Sequence, residues 1–472
     1  MNKFLFLLLL FMLAGTADAA MFKAEEFTLD NGLRVVVAEN HKAPLVKHMM
    51  WYQVGAVDEF RGRGGSAHLL EHLLFRGTKK VSGEEFNRIM EKNGAESNAF
   101  TSYDVTVYHQ FADVSRLEIL MALEADRMQN LNISEEDFEA ERKIVFQERK
   151  QVVENNPASP FGERARQMMW GTSPYGQPVT GLPEEITALK YTDTLDFYHK
   201  YYAPNNAILV ISGDVDTKTL RPLIEKYYGG LEKRPVEREV PAPQNEKIHQ
   251  SLQMSLPHIA TPRIARAFML PPREQMQDMI YAYDILAEFL GGGETAELYR
   301  DLVLRKRLAV GVSAGYNYMT RSNTVFRVSM VPDTDKGFAP EAAVQTLNAA
   351  MERAKRALTA ERLAQIKRKI SANLVYLKDN PQTAANWIGY MLSMGFSLDD
   401  VQNYEDKIKA VTLADVKQAF AALSETADMT AILLPQQHDG GKNESVSSLV
   451  DIRGGGCYCG GCGYKLSVRQ SY

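Results

Sequence analysis

His68 and His72, with Glu71 between them, are the residues of this chain whose types and spacing point most directly to chemistry. They sit in the stretch Gly64-Gly65-Ser66-Ala67-His68-Leu69-Leu70-Glu71-His72-Leu73-Leu74-Phe75. The two glycines and the serine suit a turn and an N-cap, and the apolar run after them suits a buried helix. Each helical residue advances ~100°, so the histidines fall ~40° apart on one face, one turn apart, with Glu71 flanking that face. Two imidazoles so placed can grip one zinc ion, with a carboxylate at its edge. Three ionisable groups among leucines would be costly to bury without a partner, which favours a metal over two core histidines.

A hydrolytic zinc site usually has three protein ligands and leaves a fourth position to water. The only cysteines are Cys457, Cys459 and Cys462, far from the histidines in sequence, so a carboxylate is the natural third ligand. Ser134-Glu135-Glu136-Asp137 opens a charged helix that stops before Pro157 and carries Glu141 and Glu148. These two lie almost on one face but ~10 Å apart along the axis, so both cannot reach one zinc directly. One would ligate, and the other would orient a ligand or contact substrate. Spacing alone does not select them from Glu135, Glu136, Glu139 and Glu154 on the same helix.

The elements that must hold these residues can be read around them. Glu26 to Val37, with Asn31-Gly32 at its turn, reads as a hairpin, and Val46 to Gly55 as a further strand. The histidine helix follows, then a capped helix from Ser82 to Asn93-Gly94, strand-like Asn98 to Phe111 and a helix from Leu117 to Met128. A looser, proline-containing region spans Pro157 to Pro183, before a helix (Thr192 to Tyr202), a strand (Ala207 to Val215) and another helix (Thr217 to Tyr228). Residues 231–248, charged and carrying Pro235, Pro241 and Pro243, read as a linker. A second unit over 249–435 opens with strands and a helix from Met276 to Leu290, and ends like the first: helix, then an apolar strand at Ala431-Ile432-Leu433-Leu434. Strands mixed with helices in similar order on both sides of a linker imply an α+β fold of two duplicated domains, 20–230 and 249–435.

Composition narrows the function. Of 472 residues, 45% are hydrophobic and 24% charged, a balance that supports sizeable cores, and the net charge of -5 gives no footing for nucleic-acid binding. Residues 1–19 have a short positive start at Lys3, an apolar run from Phe4 to Ala14 and the small-x-small pattern Ala17-Asp18-Ala19, the features of a secretory signal peptide. The chain is therefore expected to be exported, periplasmic or otherwise extracytoplasmic, with no integral membrane segment in its mature part. Residues 436–472 form a glycine-rich tail whose cysteines lack a fourth ligand at a usual metal spacing.

His68-Leu69-Leu70-Glu71-His72, followed at this distance by Glu148, resembles the inverted zinc-binding signature of the pitrilysin–insulinase family, the inverzincin pattern. Gly94-Ala95-Glu96-Ser97-Asn98-Ala99-Phe100-Thr101-Ser102-Tyr103-Asp104 resembles that family's strand beside the zinc, and Glu141 precedes Glu148 by the family's interval. The paired halves are similar to the half-clamshell subunits of mitochondrial processing peptidases and their bacterial relatives. The resemblance implies one Zn2+ per chain on His68, His72 and Glu148, with Glu71 as general base and Glu141 behind the ligands. It also implies that Asn98 and Ala99 bind an extended peptide substrate as an added strand.

One part of the pattern is missing. Members with a complete site carry an Arg and a Tyr seven positions apart in the C-terminal half, where this chain has Val303 and Val310. Arg300, Arg305 and Tyr316 are near in sequence but out of register. The expectation is therefore a zinc metalloendopeptidase subunit of a dimeric chamber, completed by a paralogous partner that supplies the Arg/Tyr pair. Gly291-Gly292-Gly293 is either a counterpart of the family's substrate-contacting glycine loop or a helix C-cap. Two other classes compete with the peptidase: a non-catalytic assembly subunit of the same fold, and a protein that binds zinc without hydrolysis. Intact His68, Glu71, His72 and Glu148 weigh against the first.

Overall fold

The computed structural model describes residues 20–243, 248–335 and 337–436. The expected signal peptide and the cysteine tail lie outside the described residues.

Two sheets carry the molecule. The first contains β1 (Ala24–Thr28), β2 (Arg34–Glu39), β3 (Leu45–Tyr52), β4 (Glu96–Thr101), β5 (Thr106–Asp113) and β6 (Ala207–Gly213), in the order β1-β2-β6-β3-β5-β4. The second contains β7 (His249–Leu256), β8 (Arg263–Pro272), β9 (Ala309–Asn317), β10 (Asn323–Pro332) and β11 (Ala427–Pro435), in the order β7-β11-β8-β10-β9. Apart from the extra β1, the two orders superpose strand for strand. In each sheet one pair is parallel, β2 with β6 and β7 with β11, and the remaining pairs are antiparallel. The expected duplication of mixed α and β units is therefore present.

Alternation along β2, β3 and β5 sends neighbouring residues to opposite faces. Val35, Val37, Met50, Tyr52 and Tyr108 enter one core, and Val36, Met49, Trp51 and Val107 enter another. The first core is roofed by α1 (Ser66–Leu73), α3 (Leu117–Gln129), α4 (Glu135–Asn155), α6 (Tyr191–Tyr201) and α7 (Thr217–Tyr228), while α2 (Gly83–Lys92) and α5 (Ser159–Trp170) lie to its sides. In the second half the longer helices are α8 (Met279–Gly291), α9 (Pro340–Ala357), α10 (Ala360–Asp379), α11 (Pro381–Ser393) and α12 (Leu413–Ala422). The halves exchange cover. Helix α11 packs on β3 and β6 of the first sheet, and α5 packs on β7 and β11 of the second.

Several local expectations are corrected. The region after Pro157 is not loose: it forms α5, because Pro160 sits in the first turn, where its missing N–H costs nothing. The strand-like run from Asn98 to Phe111 is two strands, separated at residues 102–105. Helix α8 starts at Met279 rather than Met276. After the glycine triplet the chain forms a π-helix, Tyr299–Arg305.

Candidate metal centre

The lead-in to α1 differs from the expected serine cap. Gly65 is the N-cap in a left-handed conformation (φ 90°), and a side chain there would meet the Thr180 carbonyl at 2.8 Å. Ser66 is the first helical residue, its hydroxyl donating to the Arg63 carbonyl at 2.7 Å. The capping acceptor is Glu59, which takes the N–H groups of Gly65 (3.0 Å) and Ala67 (2.8 Å). A carboxylate at a helix N-terminus satisfies otherwise orphaned donors. Burial nonetheless pushes the Glu59 carboxyl well above the usual carboxylate range, with those two backbone donors opposing it.

Helix α1 then presents His68 and His72 toward α4, their rings 4.9 Å apart and nearly perpendicular. Glu148 comes from α4, with Oε2 3.7 Å from His68 Nε2 and 3.4 Å from His72 Nε2. Ligand atoms of these three residues lie within 4.8 Å of one another. They are the one group of this kind among the described residues. The donor set, two imidazoles and one carboxylate, suits a catalytic zinc. One orphaned atom also fits a cation: the buried Glu148 Oε2 has no hydrogen-bond partner.

Glu141 lies one layer back. Its Oε2 accepts from His72 Nδ1 at 3.0 Å, and its Oε1 accepts from Arg76 Nε at 2.6 Å. With the proton held on Nδ1, the Nε2 lone pair of His72 faces Glu148. The two histidines are tuned apart. Burial, with His72 alongside, lowers His68 to about 4. Burial works most strongly against a charge on His72, but the Glu141 hydrogen bond and the negative charges of Glu141, Glu148 and Glu71 together outweigh it, and the pKa is raised. Burial raises the Glu71 carboxyl, opposed by the hydroxyl of Thr101, which donates to Glu71 Oε2.

Thr101 ends β4, the edge strand of the first sheet. Register pairs Thr101 with Thr106, Ala99 with Tyr108 and Asn98 with His109. Ala99 and Thr101 therefore face the α1 side and Asn98 faces away, its Oδ1 accepting from the Ala99 N–H at 2.8 Å. Thr101, Arg76 and Glu59 carried no assigned role in the sequence. Thr101 lay inside the quoted family-like strand, which was the available signal for it.

Among the described residues, the second half brings no metal-ligating group to this centre. Val303 packs partly buried against the core, and Val310 is 60% exposed on the edge strand β9. The neighbouring polar side chains are engaged locally: Arg305 with Glu297 and Asp301, Arg300 with Glu297, and Tyr316 with Thr324. Gly291 is needed for packing, since a Cβ there would fall 1.9 Å from the Ala314 nitrogen. Gly292 caps α8.

Comparison with known proteins gives the family. The model described as Insulinase (Peptidase family M16) matches residues 34–181, and the model described as Peptidase M16 inactive domain matches residues 188–370. The chain belongs to the M16 insulinase family. It is 27% identical over 427 residues to the zinc protease PqqE of Helicobacter pylori, covering 89% of this chain and 94% of that one. The crystal structure of a protease from Helicobacter pylori matches with a TM-score of 0.80 at 26% identity, over 88% of this chain and all of that one. The periplasmic protease PqqL from Escherichia coli matches in fold with a TM-score of 0.75 at 17% identity, over 88% of this chain but 48% of that chain. In this M16 chain, no helix among the described residues is long and apolar enough to cross a membrane.

Proposed function

We propose that this chain is an exported zinc metalloendopeptidase of the inverzincin type, acting on oligopeptides or unfolded polypeptides. The observation that carries the reading is the convergence of His68 Nε2, His72 Nε2 and Glu148 Oε2 beside Glu71 on a buried helix. Held by those three residues, Zn2+ would acidify water and polarise a peptide carbonyl. His68 and His72 bind as neutral imidazoles, and Glu141 keeps the His72 proton on Nδ1. Glu71 takes the proton of the attacking water and hands it to the leaving amine, as base and then acid. Its raised affinity for a proton suits that exchange, and Thr101 fixes the orientation of its carboxylate. An extended substrate adds to the free edge of β4 beside Asn98 and Ala99, through main-chain hydrogen bonds with little sequence selectivity.

Export is supported by the signal-like residues 1–19 and by the location printed for the Escherichia coli relative. That relative's chain is about twice the length matched here, which supports one copy of this chain being half of a chamber. The absence of an Arg/Tyr pair at Val303 and Val310 supports a paralogous partner that supplies it. The isolated chain would then cleave peptides weakly or not at all, and full activity from a homodimer would exclude the partner.

The reading is tested with Glu71→Gln in a background where Cys457, Cys459 and Cys462 are Ser, so that tail-bound metal is not counted. Expected are about one zinc per chain and cleavage of a fluorogenic oligopeptide lowered about 100- to 10,000-fold with zinc retained. Zinc lost together with activity would mean Glu71 is a ligand rather than the base.

A further inference from the structure

The peptidase residues all lie in the first half, yet one side chain of the second half reaches the two segments that frame them. Residues 55–58 lead from β3 toward Glu59 and α1. Residues 102–104 lead out of β4, just after Thr101. The two segments are bound to each other, Ala56 N donating to Ser102 O (3.0 Å) and Val57 N to Tyr103 O (2.9 Å). Each ends in an almost fully buried carboxylate, Asp58 and Asp104.

Arg321, in the turn between β9 and β10, joins them. Its Nη2 donates to Asp58 Oδ1 and its Nε to Asp104 Oδ1, both at 2.8 Å. Its backbone N–H donates to the Tyr175 hydroxyl at 2.8 Å, and that hydroxyl donates to Asp104 Oδ1 at 2.7 Å. Arg238, from the connection between the halves, adds Nη2 contacts to Asp58 Oδ2 (3.4 Å) and the Asp104 carbonyl (2.9 Å). A planar guanidinium can bridge two carboxylates in fixed geometry, which an ammonium cannot. On the catalytic side, Glu59 next to Asp58 caps α1, and Thr101 three residues before Asp104 holds Glu71.

We propose that Arg321 is a positioning residue for the peptidase reaction: it locks the approach to α1 against the exit of β4, so that Glu71 stays aligned only while the second half is docked. This rests on the peptidase reading above. The half without metal ligands would thus bear on catalysis in the other through Arg321, beside the apolar packing of Val57 and Tyr103 against its sheet.

The test compares Arg321→Gln and the milder Arg321→Lys with Asn40→Ala. Asn40 is a remote contact between the halves, donating to the Lys378 and Asp379 carbonyls. Hydrogen exchange on the mature chain is expected to accelerate over residues 59–67 and 96–104 in Arg321→Gln, less in Arg321→Lys, and not in Asn40→Ala. In the assembly in which the wild type is active, kcat should fall on the order of 10- to 100-fold with KM and zinc content little changed. Arg321→Lys should recover part of it. Unchanged exchange in both segments, or a lower melting temperature with kcat intact, would overturn the assignment. A zinc-loaded wild type that cleaves no peptide even when assembled with its co-purifying partner would instead remove the peptidase reading, and the exchange result would still decide whether Arg321 fixes these segments.

Discussion

At the scale of single residues, the centre depends on where protons sit. His72 is useful as a ligand because Glu141 accepts from its Nδ1, and Glu141 is itself held by Arg76. Glu141→Gln weakens both contacts. It should lower zinc affinity about 10- to 100-fold, the usual cost of losing such a partner, and excess zinc should restore much of the activity. A chelator competition titration measures this, and unchanged affinity would contradict the role. The ligand triad was legible in the sequence through the two histidines on one helical face, but the choice of Glu148 over its neighbours came from family resemblance. Glu59 and Arg321 were not legible. Glu59 competes with Ser66 for a role that local pattern assigns to serine, and Arg321 meets partners 217 and 263 residues away.

At the scale of elements, α1 and its counterpart in the second sheet show what duplication preserved. Both lie between the third-rank strand and the edge strand of their sheets, but α8 carries tyrosines and leucines and no histidine. Its Asp284 accepts from the Tyr404 hydroxyl at 2.8 Å. Burial raises the Asp284 carboxyl to about 7, with the Tyr404 bond opposing it. A carboxyl of pKa 3.8 when unfolded and about 7 when folded stabilises the fold fully below pH 3.8, and that contribution is lost as pH rises to about 7. Asp284→Asn should therefore gain stability relative to wild type as pH rises from 4 to 7, with a flat difference above. Urea unfolding across that range checks it, and a pH-independent difference would contradict it. The strands and amphipathic helices of both halves were readable from periodicity. Helix α11 carries a start signal at Asn380-Pro381 and an apolar face at Ala384, Ile388, Met391 and Leu392, but nothing local tells that this face covers the other half's sheet.

At the scale of the whole molecule, the halves are bound by exchanged helices as well as by Arg321. Gly389 of α11 lies flat on β3, and a Cβ there would fall 2.1 Å from the Trp51 ring. Gly389→Val should destabilise the chain by about 1–3 kcal/mol through overpacking, read as a lower urea midpoint, whereas an unchanged midpoint would mean the halves separate freely. The whole arrangement serves one ion on three side chains. Anomalous diffraction at the zinc edge, from crystals of the purified mature chain, tests it most directly. A peak is expected about 2.0–2.2 Å from His68 Nε2, His72 Nε2 and a Glu148 oxygen. No peak there, or a peak confined to Cys457, Cys459 and Cys462, would contradict it.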